Sequence, residues 1–253
     1  MARAHRHYLP GFIWHITQRC HKREFLLRFN YYRQRWLYWM NEAKHRFSIC
    51  ILDYMVTSNH IHLLAMSEAK ENDLAKTMHL VSGRVAQEFN QRRERRGAFW
   101  EDRYHATAIE GSAHLMRCML YIDTNMVRAR AVRHPEEWPY CGYQELAGNR
   151  HSYTLVDKEK LFELLQIPEE QFMKEYHGWI SNYLESKQFG REKCWTESVA
   201  VGGQEFVETI KRRLGFKVKG RKVFQGFGGY ELREAQKTCL YFPPSKNCNK
   251  EQK

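Results

Sequence analysis

Two histidines one residue apart, His60 and His62, stand in the segment Asn59-His60-Ile61-His62-Leu63-Leu64. On an extended strand alternate side chains face the same side, so both imidazoles project together while Ile61 and Leu63 turn inward. Paired imidazoles on a rigid strand form half of a site for a divalent metal. An H-x-H pair also suits an ordinary solvated strand face, so a second element must complete the chemistry.

The segment around Tyr121 can be that element. Leu115, Met119, Ile122 and Met126 make one apolar stripe at helical spacing, and Met116, Leu120 and Val127 make another. Between them runs a single polar line: His114, Arg117, Tyr121, Asn125 and Arg128. A phosphodiester resists nucleophiles because it is anionic. A metal held by His60, His62 and the amide oxygen of Asn125 would polarise a non-bridging oxygen. The Tyr121 phenol could then attack phosphorus, leaving a phosphotyrosine and a free hydroxyl. Arg117 and Arg128 would steady the phosphate. Tyr140 and Tyr143 are rival nucleophiles, but neither has an amide partner at helical spacing. The plainer alternative makes Tyr121 a tyrosine at the edge of the core.

The elements that must position these groups follow from periodicity. Residues 12–18 read as a strand, 30–44 as a helix, 47–55 as a strand and His60–Met66 as a strand paired to it through the Thr57-Ser58-Asn59 turn. Residues 71–90 are amphipathic and end towards Gly97; 104–109 is a further strand and 112–129 the helix of Tyr121. Strand, helix, strand, strand, helix, strand, helix suits an α+β sandwich, an antiparallel sheet with helices packed on it. Pro135, Pro139 and Gly142 then interrupt the chain, and Gly148-Asn149 marks a border. Residues 1–148 form the expected catalytic domain, 149–242 a small, mainly helical accessory module with a DNA-binding role in view, and 243–253 a tail. The helical candidates in the module are 158–166, Glu169–Glu185 and Gln204–Leu214, followed by a Gly-rich basic stretch.

Composition narrows the partners. A net charge of +12 in 253 residues favours a polyanion through counterion release. Residues 1–150 carry 19 Arg and 4 Lys, whereas the remainder carries 5 Arg and 13 Lys. Guanidinium forks hold phosphate oxygens more specifically than ammonium groups, so phosphate contacts are expected in the first part. The run Arg92, Arg93, Arg95 and Arg96 either tracks a DNA backbone or is a solvated helix end. Trp100 and Tyr104 either stack on unpaired bases or belong to the core. The seven cysteines include no C-x-x-C pair, which argues against a disulfide framework or zinc finger. With no signal-peptide core and no long apolar run, the expected location is cytoplasmic, at the nucleoid, with no membrane partner.

At this point the chain resembles a known family, the HUH-type single-tyrosine transposases, and among them the REP-associated tyrosine transposases of bacteria. The resemblance covers about residues 8–146 in five ordered pieces. They are His15-Ile16-Thr17-Gln18-Arg19 with Arg23-Glu24; Ser58 to Leu64; Phe99-Trp100-Glu101-Asp102-Arg103-Tyr104; Tyr121 to Ala129; and Trp138-Pro139-Tyr140 with Tyr143. It implies a ferredoxin-like sheet with helices, Mg²⁺ or Mn²⁺ bound by His60, His62 and Asn125, and cleavage of single-stranded DNA beside a hairpin by Tyr121, which keeps the 5′ phosphate. Arg19 and Arg103 join the arginines expected on DNA, and a homodimer is compatible with the reading. Four positions depart from the family pattern. Thr57-Ser58 replaces Met-Pro, Met126 replaces Pro, and Arg130 stands where Gly is common. These departures keep a second reading open, a non-cleaving DNA- or RNA-hairpin-binding regulator on the same fold. An initiator of replication or plasmid transfer is a third, disfavoured by the absence of a helicase region.

Overall fold

A computed structural model describes residues 8–69, 72–149, 153–186, 190–226 and 228–235. The tail expected at 243–253 lies outside them, as do Glu71, Cys239 and Cys248. The chain runs β1 (Ile13–Arg19), α1 (Asn30–Arg46), β2 (Cys50–Val56), β3 (His60–Met66), α2 (Asp73–Arg92), β4 (His105–Ile109), α3 (Ala113–Asp123) and α4 (Asn125–Arg128). It continues as α5 (Gly142–Leu146), α6 (Lys158–Leu165), α7 (Glu169–Glu185), α8 (Cys194–Glu197), β5 (Ala200–Gly202), α9 (Gln204–Leu214), β6 (Arg221–Gly226) and β7 (Gly229–Glu234).

Among the described residues the strands form one sheet in the order β2-β3-β1-β4-β5-β7-β6. The first four are antiparallel, with Thr17 opposite His62, Arg19 opposite His60, and His15 opposite Thr107. Cross-strand partners share a face. One face therefore carries His15, Thr17 and Arg19 of β1, His60 and His62 of β3, and His105 and Thr107 of β4. The opposite face carries Trp14, Ile16, Ile61 and Leu63, all essentially inaccessible. It meets α1 and α2, where the Ser82 hydroxyl donates to Gln18 Oε1 at 2.6 Å and Trp36 packs on Tyr54. Arg35 donates two hydrogen bonds to Glu88 and ties those helices together. The polar face of the sheet instead receives α3, whose buried Leu115, Met119 and Ile122 extend the same core.

Several features depart from the expectations. The helix of residues 112–129 is interrupted at Thr124, whose hydroxyl donates to the Leu120 carbonyl at 2.6 Å. Such back-bonding competes with the helical ladder. The preceding amphipathic helix stops at Arg92, with Glu94 at φ 49°, before Gly97 is reached. The main addition lies beyond residue 148. Alongside α6, α7 and α9, three strands continue the first sheet across the expected border. Ala108 N donates to Val199 O, and Glu110 N to Val201 O, in a parallel β4–β5 pairing. The Gly-rich basic stretch is the β6–β7 hairpin, turning through Gly228 at φ 78°.

Candidate active site

The tautomers of the two β3 histidines can be read from their partners. Asn59 Nδ2 donates to the Arg23 carbonyl, which leaves Asn59 Oδ1 as an acceptor for the His60 Nδ1–H at 2.8 Å. Thr57 Oγ1 lies 2.9 Å from the same nitrogen and also closes the turn by donating to the His60 carbonyl. The second histidine is held by a relay. His15 Nδ1 lies 2.9 Å from the Trp195 carbonyl, which can only accept, so Nδ1 carries the proton. His15 Nε2 is then a bare acceptor, and His62 Nδ1–H donates to it at 2.8 Å. Both β3 imidazoles are thereby left with an unprotonated Nε2.

The helix side completes the arrangement. Asn125 Nδ2 donates to His62 Nε2 at 3.0 Å, and half a rotation of the amide brings its oxygen to the same place. The Tyr121 ring stands edge-on to His62 and to His15, at centroid distances of 6.0 and 6.4 Å. His60, His62, Tyr121 and Asn125 all line one cavity of about 950 Å³. Arg19, Arg103 and Arg128 share that lining, together with Arg23, Arg191, Glu101 and Asp102. The Arg128 guanidinium lies 4.0 Å from the centre of the Tyr121 ring and donates to the Tyr121 carbonyl and to Thr124 Oγ1. It thereby pins the interruption between α3 and α4.

Burial sets the charge state. Desolvation lowers His60 to about 4, helped by the Arg19 and Arg128 guanidinium groups. It lowers His15 to about 3 against the opposing Trp195 hydrogen bond, and His62 lies well below the ordinary imidazole range for the same reason. All three stay neutral at physiological pH, as metal ligation requires. Two bare imidazole nitrogens and an amide oxygen are a donor set that a divalent ion accepts. Fixing the other ring nitrogen of each ligand is how outer partners orient such sites. Burial raises the Tyr121 phenol, and Arg128 opposes that shift.

Other expected site residues lie elsewhere. Arg117 is absent from the cavity. It donates to Glu192 at 2.9 Å and to the Gly228 carbonyl, because the β6–β7 hairpin closes over that part of α3. Its place on the helix suggested a phosphate contact, but its partner is the C-terminal segment. Arg92, Arg93, Arg95 and Arg96 sit at and beyond the end of α2, outside the cavity. Trp100 donates from its indole to Ser82 O and is part of the packing. Tyr140 and Tyr143 also lie outside the cavity, against Arg33 and His177 respectively.

Sequence reading gave no role to His15, Thr57 and Trp195 in the site. The register His15–Leu64 would have placed His15 on the histidine face, but pairing partners have no signature in a single sequence. Thr57, noted as a departure, supplies a hydroxyl beside His60. Arg130 adopts φ 56°, a region that favours glycine and costs other residues energy.

Residues 9–125 match the family described as Transposase IS200 like. A solved structure of a REP-associated tyrosine transposase bound to a REP hairpin matches with a TM-score of 0.50 at 19% identity, covering 61% of this chain and 90% of that one. At that identity the likeness establishes a shared fold. None of the curated proteins compared matches the chain.

Proposed function

Starting from residues 9–125 as a domain of the IS200-like transposase family, we propose that the protein cuts and rejoins single-stranded DNA beside a hairpin through a 5′-phosphotyrosine at Tyr121. The observation that carries this reading is the meeting of His60, His62, Asn125 and Tyr121 on one arginine-lined cavity. His60 and His62 would hold Mg²⁺ or Mn²⁺ through Nε2, with Asn125 contributing its amide oxygen. When bound, the ion supplies positive charge against a non-bridging phosphate oxygen and offsets charge gathering in the transition state.

The chain's own groups do the rest. Arg19 and Arg128 present guanidinium groups to the phosphate from the sheet and helix sides. The Tyr121 oxygen forms a bond to phosphorus as the bond to the 3′ oxygen breaks. The phenol proton passes to water in the open cavity, and the departing 3′ oxygen takes one up. Attack by a 3′-hydroxyl on the phosphotyrosine reverses these steps, so joining consumes no nucleotide. The Arg128 cation over the ring lowers the cost of forming the phenolate.

The test is direct. Incubated with a hairpin oligonucleotide carrying a single-stranded flank and Mn²⁺, the protein is expected to form an adduct that survives denaturing electrophoresis. The Tyr121→Phe variant should form none. An adduct in that variant rejects the assignment.

A further inference from the structure

Residues 20–29 cross from β1 to α1 and are tied to the start of β3. Cys20 N donates to Asn59 O, Leu27 N to Ser58 O, and the Asn59 amide to Arg23 O. Arg23 lines the catalytic cavity, so this segment leads outward from it. It carries an unusual surface. Among the described residues five large hydrophobic side chains are exposed, and three stand here or in the first turn of α1: Phe25 at 63%, Phe29 at 41% and Tyr31 at 40%. Scattered exposed rings need no account, but three within seven residues are not scattered.

Arginines sit on two of these rings. Arg28 and Arg93 lie 4.6 and 4.8 Å from the Phe29 centroid, and Arg92 lies 4.3 Å from that of Tyr31. Both rings rest edge-on against the buried Tyr32. Phe29 and Tyr31 are therefore braced from below by the core. A favourable position at the end of α2 explains cations at 92 and 93. It does not explain why they lie over rings contributed by another element. The neighbouring Glu24 is engaged by Arg95 at 3.8 Å, and Glu94 is exposed nearby.

We propose that Phe25, Phe29 and Tyr31, with Arg28, Arg92 and Arg93, form a stacking platform for unpaired bases of the DNA flank that leads into the cavity. The platform rests on the strand-transfer reading for its position but not for its chemistry. Every base has a π face, so aromatic platforms take single strands with little regard to sequence. A guanidinium lying on a ring can swing to the phosphate of a nucleotide whose base takes its place. The cation–ring contact is then exchanged for a stack plus an ion pair.

The probes are a blunt hairpin, the same hairpin with a six-nucleotide single-stranded tail containing 2-aminopurine, and one with an abasic tail. The full-length protein should quench 2-aminopurine and bind the normal tail tightest. Phe25→Ala should weaken tailed binding about tenfold, and the triple alanine variant about a hundredfold or more. Blunt-hairpin binding should stay within twofold in both, which also reports that each variant is folded. If the triple variant does not fold, the tenfold loss in Phe25→Ala decides. Unchanged tailed binding in Phe25→Ala, or an abasic tail held by the parent as tightly as a normal one, overturns the platform. Quenching by a parent that forms no covalent adduct supports the platform while rejecting strand transfer.

Discussion

Among single residues, His15 has the clearest consequence. It touches neither the proposed phosphate nor the proposed ion, yet it determines which nitrogen of His62 is bare. His15→Ala is expected to weaken Mn²⁺ binding roughly 10–100-fold by calorimetry, the usual cost of losing an outer partner. In the parent, nitrogen NMR should report His62 protonated at Nδ1; a loss of affinity with no change of tautomer would argue for mere packing. The same buried imidazoles give a pH dependence. Their folded values, about 3 for His15 and about 4 for His60, lie below the 6.5 of an exposed imidazole. As pH falls below 6.5 the unfolded chain takes up protons first, so this stabilisation is full above 6.5 and is lost towards 4. The urea midpoint should therefore fall between pH 6.5 and 4.5, with a shallower slope in His15→Gln. Asp123, raised by burial to about 7, acts with opposite sign, its contribution fading as pH climbs from about 4 to 7. Its change falls in the same range and offsets part of the histidine slope, so the comparison of the parent with His15→Gln isolates the imidazole contribution.

Within elements, the helix of Tyr121 shows what a sequence can and cannot convey. The line Tyr121, Asn125, Arg128 was legible because three- and four-residue steps align side chains in any helix. The interruption at Thr124 was not, because it depends on a side-chain bond and on Arg128 folding back to it. The paired histidines on β3 were legible from alternation alone. Arg128 reaches the cavity and Arg117 does not, although they lie on the same stripe, because a hairpin more than a hundred residues later captures Arg117. After α4 the chain turns through Arg130 at φ 56°, with Arg130 N bonded to Val127 O and Ala131 N to Met126 O. Glycine occupies such a helix end without strain. Arg130→Gly should raise stability by about 1 kcal/mol in urea unfolding. A neutral or destabilising result would mean that the arginine side chain makes a compensating contact.

For the molecule as a whole, the sheet crosses the border that composition suggested near residue 148. The first four strands were legible because each buries at least one face and carries a strong apolar pattern. β5 is three residues long, and β6–β7 is a half-exposed edge hairpin rich in charge and glycine, so neither showed alternation. Residues beyond 148 also reach the site, since the Trp195 carbonyl accepts the hydrogen bond from His15 Nδ1–H and its ring packs 6.4 Å from the Tyr121 ring. A chain ending at Asn149 is expected to aggregate, or to bind Mn²⁺ at least about tenfold more weakly; equal affinity in a soluble fragment would make the C-terminal part a true appendage. The Trp195 carbonyl has a wider meaning for how such a chain comes into being. His62 can settle its proton only after residue 195 has docked, 133 positions downstream of it. A partly made or clipped polypeptide would hold its tyrosine beside unset histidines, and the proposed capacity to break DNA would arrive last, when the remainder has closed around it.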